Sequence, residues 1–108
     1  MTHRARKVVI ITEKLILDGV LKIVEEEGAT GYTVHAAGGK GSRNVRSQDR
    51  PRVVEAFSNV QVEVIVSKPE VAERIAEVVA ETFFDNYSGI TYIQDVDVLR
   101  PQKFLRPT

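Results

Sequence analysis

Val60, Val62, Val64 and Val66 alternate with Gln61 and Glu63, a period of two that puts one face of a strand in a core. Such a strand folds only against a layer that covers its apolar face, so the rest of the chain has to supply one. Directly after it, Val71, Ile75, Val78, Val79 and Phe83 recur at helical spacing, while Glu73, Arg74, Glu77 and Glu81 fall on the opposite side. Ser67 as N-cap, Pro69 in the first turn and Glu70 three residues beyond the cap predict where this helix begins. An earlier amphipathic helix is predicted from Leu17, Val20, Leu21 and Val24, with Glu25, Glu26 and Glu27 solvating its end and Gly28 capping it.

The other apolar segments read as strands. Lys7 to Thr12 is a β-branched run suited to a central strand buried on both faces, with His3 in a tail ahead of it. Tyr32 to Ala37 forms a second strand, and Ile90 to Val98 a fourth with Ile90, Tyr92, Val96 and Val98 on one face. The order β, α, β, long loop, β, α, β predicts an α+β, ferredoxin-like βαββαβ domain. In it, a four-stranded antiparallel sheet carries both helices on one face and leaves the other without a cover. The chain of 108 residues is then one domain, with a loop over 38–58 and a short tail over 99–108. Small size and a bare apolar sheet face together predict self-association.

Composition excludes several classes of function. Fifteen cations balance fifteen carboxylates, so bulk charge gives no basis for binding nucleic acid or an anionic membrane. An RNA-recognition module has the same element order but carries stacking aromatics on its third strand, and Gln61 to Val66 has none. The absence of cysteine excludes a disulfide framework, a thiolate metal site and a cysteine nucleophile. Too few apolar residues follow the basic start for a signal peptide or a membrane span, so a soluble protein of a reducing cytosol is expected.

Against this neutral background, the run from Gly38 to Ser47 stands out. Gly38, Gly39 and Gly41 allow close approach of the backbone to a ligand, Lys40, Arg43 and Arg46 bring cations, and Ser42 brings a hydroxyl. These groups suit a phosphate. From Lys40 to Arg52 there are five cations against one carboxylate, Asp49, so the basic charge is concentrated here. A solvated connection of the same composition is the competing reading. The run is not a Walker loop, whose glycines stand at other positions.

Four stretches, Ile11 to Lys14, Glu26 to Val34, Gly38 to Ser47 and Tyr87 to Ile93, together resemble the PII-like signalling proteins, most closely the SbtB type of the cyanobacterial carbon-concentrating system. The similarity runs from about Lys7 to Leu99. It implies a homotrimer whose clefts between neighbours bind cyclic AMP, AMP, ADP and ATP, the last with or without a divalent cation. It also implies a cytoplasmic regulator of the sodium-dependent bicarbonate transporter SbtA, held peripherally at the inner membrane through that transporter. The loop over 38–58 corresponds to the family's T-loop. Its base, Gly39, Lys40, Gly41, Ser42, Arg43 and Arg46, is implied to hold phosphate, and Ser47, Arg50, Arg52 and Phe57 farther along are implied to meet the transporter. Thr33 matches a position that meets adenine, and Gly89 and Ile90 match the loop that closes over the phosphate from the neighbouring side.

Many chains of that type end in a short loop with a cysteine pair, whereas this one ends in Lys103 to Thr108 without cysteine. Redox control, and hydrolysis that depends on that loop, are therefore not expected. No catalytic residue, resident cofactor, metal or nucleic-acid partner is predicted. The alternatives are a nucleotide-hydrolysing enzyme of the same fold and a metal-binding trimer of the copper-tolerance type. The second rests on His3 and His35 alone.

Overall fold

The structure is a computed structural model, and it describes residues 2–38 and 58–99. The elements in order are β1 (His3–Glu13), a 3-10 turn (Lys14–Ile16), α1 (Leu17–Glu26), β2 (Thr33–Ala37), β3 (Asn59–Val66), α2 (Pro69–Phe83) and β4 (Gly89–Val98). The four strands form one antiparallel sheet in the order β2-β3-β1-β4, the ferredoxin-like arrangement that the element order predicts.

Strand register explains the core. Val8 stands opposite Val64 on one side and Ile93 on the other, and Ile10 opposite Val62 and Thr91, so these positions share one face. On that face Val8, Ile10, Val62, Val64 and Val66 pack against Val20, Ile23 and Val24 of α1 and Ala72, Ile75 and Val79 of α2. Each fully buried Val or Ile contributes about 1.5–3 kcal/mol relative to exposure. The period-two pattern of β3 is thus realised as predicted, and Ala72 joins the buried stripe of α2 although its size makes it inconspicuous in a hydropathy pattern.

Helix ends obey local chemistry in one case and not in the other. Gly28 has φ 97° just beyond α1. Its N–H bonds Glu25 C=O at 3.0 Å, and Ala29 N–H bonds Val24 C=O at 3.3 Å. This is the paired closure that glycine permits at a helix C-terminus. Ser67 does not cap α2. Lys68 holds the N-cap position without a side-chain bond and Pro69 opens the helix. Proline's preset φ starts the helix at Pro69, which leaves Glu70 one position short of where a capping-box carboxylate reaches back.

β1 also begins earlier than Lys7. β4 runs on to Val98 and offers pairing partners as far as His3, so His3 is a strand residue and not part of a tail. The apolar stripe of β4 faces away from the helices. Ile90 and Tyr92 lie in cross-sheet rows with Ile11, Gln61 and His35, and with Val9, Glu63 and Thr33, at 57% and 41% exposure. The sheet face opposite the helices is therefore partly apolar and exposed at Ile90 and Tyr92, whereas Ala5, Val9 and Val98 on the same face are buried. Among the described residues no helix is long and apolar enough to cross a membrane.

Candidate functional site

One end of the sheet gathers the segments that the sequence marks for ligand binding. Ala37 pairs with Asn59, Asn59 with Glu13, and Thr12 with Gly89. The loop over 38–58 therefore leaves and re-enters the sheet at the same end as the turn between α2 and β4. Lys14 N–H donates to Ser58 C=O at 2.8 Å, which ties the point of re-entry to the end of β1.

The turn before β4 is held by β1 as well. The Thr12 hydroxyl donates to Ser88 C=O at 2.7 Å, and Ser88 N–H donates to a Glu13 carboxylate oxygen at 2.6 Å. Both peptide groups of one residue are satisfied by two neighbouring side chains. Thr12 is 2% exposed, and a hydroxyl so buried is costly unless it is bonded. Gly89 follows at once. A Cβ there would lie 2.6 Å from Phe84 Cζ and 2.9 Å from Thr12 Oγ1. The requirement for glycine is space and not a left-handed backbone, since Gly28 alone has a positive φ among the described residues.

The site residues fall at different places. Thr33 is exposed at the start of β2, one edge strand, and Gly89 and Ile90 are exposed at the start of β4, the other edge strand. Three strand spacings separate those edges, roughly 14 Å. Thr33 also sits in the row of Val9, while Gly89 sits beside Thr12 nearer the loop. The single chain thus does not bring the two halves together. Gly39, Lys40, Gly41, Ser42, Arg43, Arg46, Ser47, Arg50, Arg52 and Phe57 lie outside the described residues.

His3 and His35 share the open face but not a site. His35 pairs with Gln61, which stands opposite Ile11, eight residues along β1 from His3. That is roughly 27 Å of strand, so one chain cannot join them on one ion. Among the described residues no group of three or more His, Cys, Asp or Glu is placed to hold a metal. At the far end of the sheet Arg4 meets Asp97 at 2.9 Å and Arg6 meets Asp95 at 2.7 Å, and between the helices Arg74 meets Glu27 at 2.8 Å. The hydrogen bond from Arg4 to Asp97, then the charges of Asp97 and Asp95, raise the Arg4 guanidinium above the ordinary arginine range.

Thr12 and Glu13 are the residues for which sequence reasoning assigned no role. Their signal is the abrupt change from the apolar run Val8 to Ile11 to two polar residues at a strand end.

The sequence matches the family described as nitrogen regulatory protein P-II over residues 5–103. Among solved structures, a PII-like signaling protein of Thermus thermophilus is 36% identical, with 95% of this chain and 97% of that one covered at a TM-score of 0.75. CPII of Thiomonas intermedia K12, solved bound to ADP and bicarbonate, is 24% identical over 96% of this chain and 97% of its own, with a TM-score of 0.78. GlnK of B. subtilis, solved as an ATP complex, is 16% identical over 89% of this chain and 84% of its own, with a TM-score of 0.58. The last two share the fold.

One stretch of mitogen-activated protein kinase spm1 of Schizosaccharomyces pombe is 28% identical over 105 residues, which are 96% of this chain and 23% of the kinase. The chain thus spans 23% of the length of that curated relative. The kinase signatures His-Arg-Asp and Asp-Phe-Gly occur nowhere in this sequence, so phosphoryl transfer does not carry over. The match over 5–103, the ferredoxin-like sheet with its long loop at one end, and the 36% identical relative agree, and the chain belongs to the P-II family.

Proposed function

We propose that this protein is a trimeric sensor of adenine nucleotides that regulates a partner through its long loop. The observation that carries the reading is the placement of Thr33 and of Gly89 with Ile90 on opposite edges of one sheet. A ligand that uses both must lie between two copies, one offering its β2 edge and loop, the next its β4 turn. The open sheet face with Ile90 and Tyr92 gives such copies an apolar surface to share. CPII, of the same fold, is solved with ADP and AMP, and GlnK with ATP, which supports adenine nucleotides as the ligand class.

In this reading Gly39, Lys40, Gly41, Ser42, Arg43 and Arg46 hold phosphate, because close-approach glycines beside the planar donor fork of arginine bind phosphate oxygens without a metal. Ligand binding then changes what Ser47, Arg50, Arg52 and Phe57 present. The resemblance to the SbtB type makes the bicarbonate transporter SbtA the proposed partner, a membrane protein that would hold this chain peripherally at the inner membrane, and adds cyclic AMP to the ligands. The protein acts as a switch and not as a hydrolase.

Calorimetric titration with cyclic AMP, ADP, ATP and GTP tests the nucleotide reading. Binding of one or more adenine nucleotides with weak or absent GTP binding is expected. Binding that ignores the base and falls steeply with salt would instead mark a general anion site.

A further inference from the structure

The turn that precedes β4 does not hold itself. Ser88 has its N–H committed to the Glu13 carboxylate at 2.6 Å and its C=O to the Thr12 hydroxyl at 2.7 Å. These bonds span 75 and 76 residues of sequence, so they arise from the sheet and not from the turn's own chemistry. Gly89, the next residue, fits under Phe84 and against Thr12 with no room for a side chain. The path of the backbone through Ser88, Gly89 and Ile90 is therefore set by the last two residues of β1. A bond to a charged acceptor is about twice as strong as a neutral one, so Glu13 is the stronger of the two ties.

We propose that Glu13 and Thr12 are positioning residues of the nucleotide site, which hold the Ser88–Gly89–Ile90 turn in the geometry that closes over a phosphate. The inference rests on the nucleotide reading above. Neither side chain needs to touch the ligand. Glu13 is in fact unsuited to do so, because a carboxylate repels a phosphate. Its bond to Ser88 N–H gives it a role that direct contact would not. This distinction makes the role of Glu13 separable by chemistry. Removing the acceptor should loosen the turn and weaken binding, whereas removing only the charge keeps a weaker bond to Ser88 N–H and also removes the repulsion of a phosphate, so it should cost much less.

The test uses the full chain and the variants Glu13→Ala, Glu13→Gln and Thr12→Val, each measured by calorimetry with ADP and by amide hydrogen exchange of Ser88 and Gly89 without ligand. Glu13→Ala is expected to speed exchange at Ser88 at least tenfold and to weaken ADP about tenfold. Glu13→Gln keeps an acceptor oxygen and loses the charge, so it should bind ADP within threefold of the parent or more tightly. Thr12→Val, nearly isosteric, keeps the fold if Glu13→Ala does not, and should weaken ADP at least threefold. Unchanged exchange at Ser88 in Glu13→Ala would overturn the inference, as would faster exchange with unchanged ADP affinity. In those cases the parent still binds ADP and the nucleotide reading stands. A parent chain that binds no adenine nucleotide would overturn both together.

Discussion

Gly89 lies directly beneath the ring of Phe84, where a Cβ would come to 2.6 Å from Cζ while also pressing to 2.9 Å on Thr12 Oγ1. Phe84 packs on the hydrophobic core and Thr12 is buried, so neither neighbour yields freely.

Gly89→Ala should therefore destabilise the fold by about 1–3 kcal/mol, the usual cost of overpacking. It should also disturb the bond from Thr12 to Ser88. Urea denaturation read by far-ultraviolet circular dichroism checks the first effect. A midpoint equal to the parent's would show that the ring of Phe84 swings aside at no cost.

Tyr92 stands 41% exposed on the edge strand β4, on the sheet face that the helices leave uncovered. Tyr92→Asp should leave the far-ultraviolet spectrum native while shifting light scattering from a trimer to smaller species at micromolar concentration, since a charge in an apolar contact is costly. A trimer that persists unchanged would place the contact between copies on some other surface.

Arg46 and Arg52 are proposed to act at different ends of the loop, the first on phosphate and the second on the partner. Arg46→Ala should weaken ADP or cyclic AMP by about 1.5–3 kcal/mol, the range for a hydrogen bond to a charged group. Arg52→Ala should change nucleotide affinity much less and reduce pull-down with the transporter. Equal nucleotide affinity in Arg46→Ala and the parent would remove the phosphate-clamp assignment.

Arg4 meets Asp97 and Asp95, yet its side chain is 67% exposed. Exposed pairs are screened by solvent and salt and contribute little. Arg4→Ala should leave the urea midpoint within experimental scatter. The raised Arg4 guanidinium makes a contribution that is fully present below the ordinary arginine range and is lost only as pH climbs past it. Hence the difference between parent and variant should stay flat from neutral to mildly alkaline pH, and a clear slope there would count against this assignment.

The elements themselves were legible because each rests on short-range periodicity. The alternation from Val60 to Val66, the helical spacing of Val71, Ile75 and Val79, and Gly28 closing α1 all appear where the pattern puts them. The start of α2 was less legible. Ser67 and Pro69 compete to define it, and a fixed proline φ outweighs one side-chain cap. The extent of β1 was not legible at all, since His3 and Arg4 carry no strand pattern and are drawn into the sheet by Val98 and Asp97.

By itself the sequence determined the order of strands and helices and the concentration of glycine and cation between β2 and β3. Those properties depend on neighbours within a few residues. Tertiary structure alone decided that Thr33 and Gly89 stand on opposite edges of the sheet, that Ile90 and Tyr92 face away from the helices, and that Thr12 and Glu13 hold Ser88. The physical reason is that strand order and cross-strand register join residues 75 and more positions apart, and nothing in local periodicity encodes which distant strand becomes the neighbour.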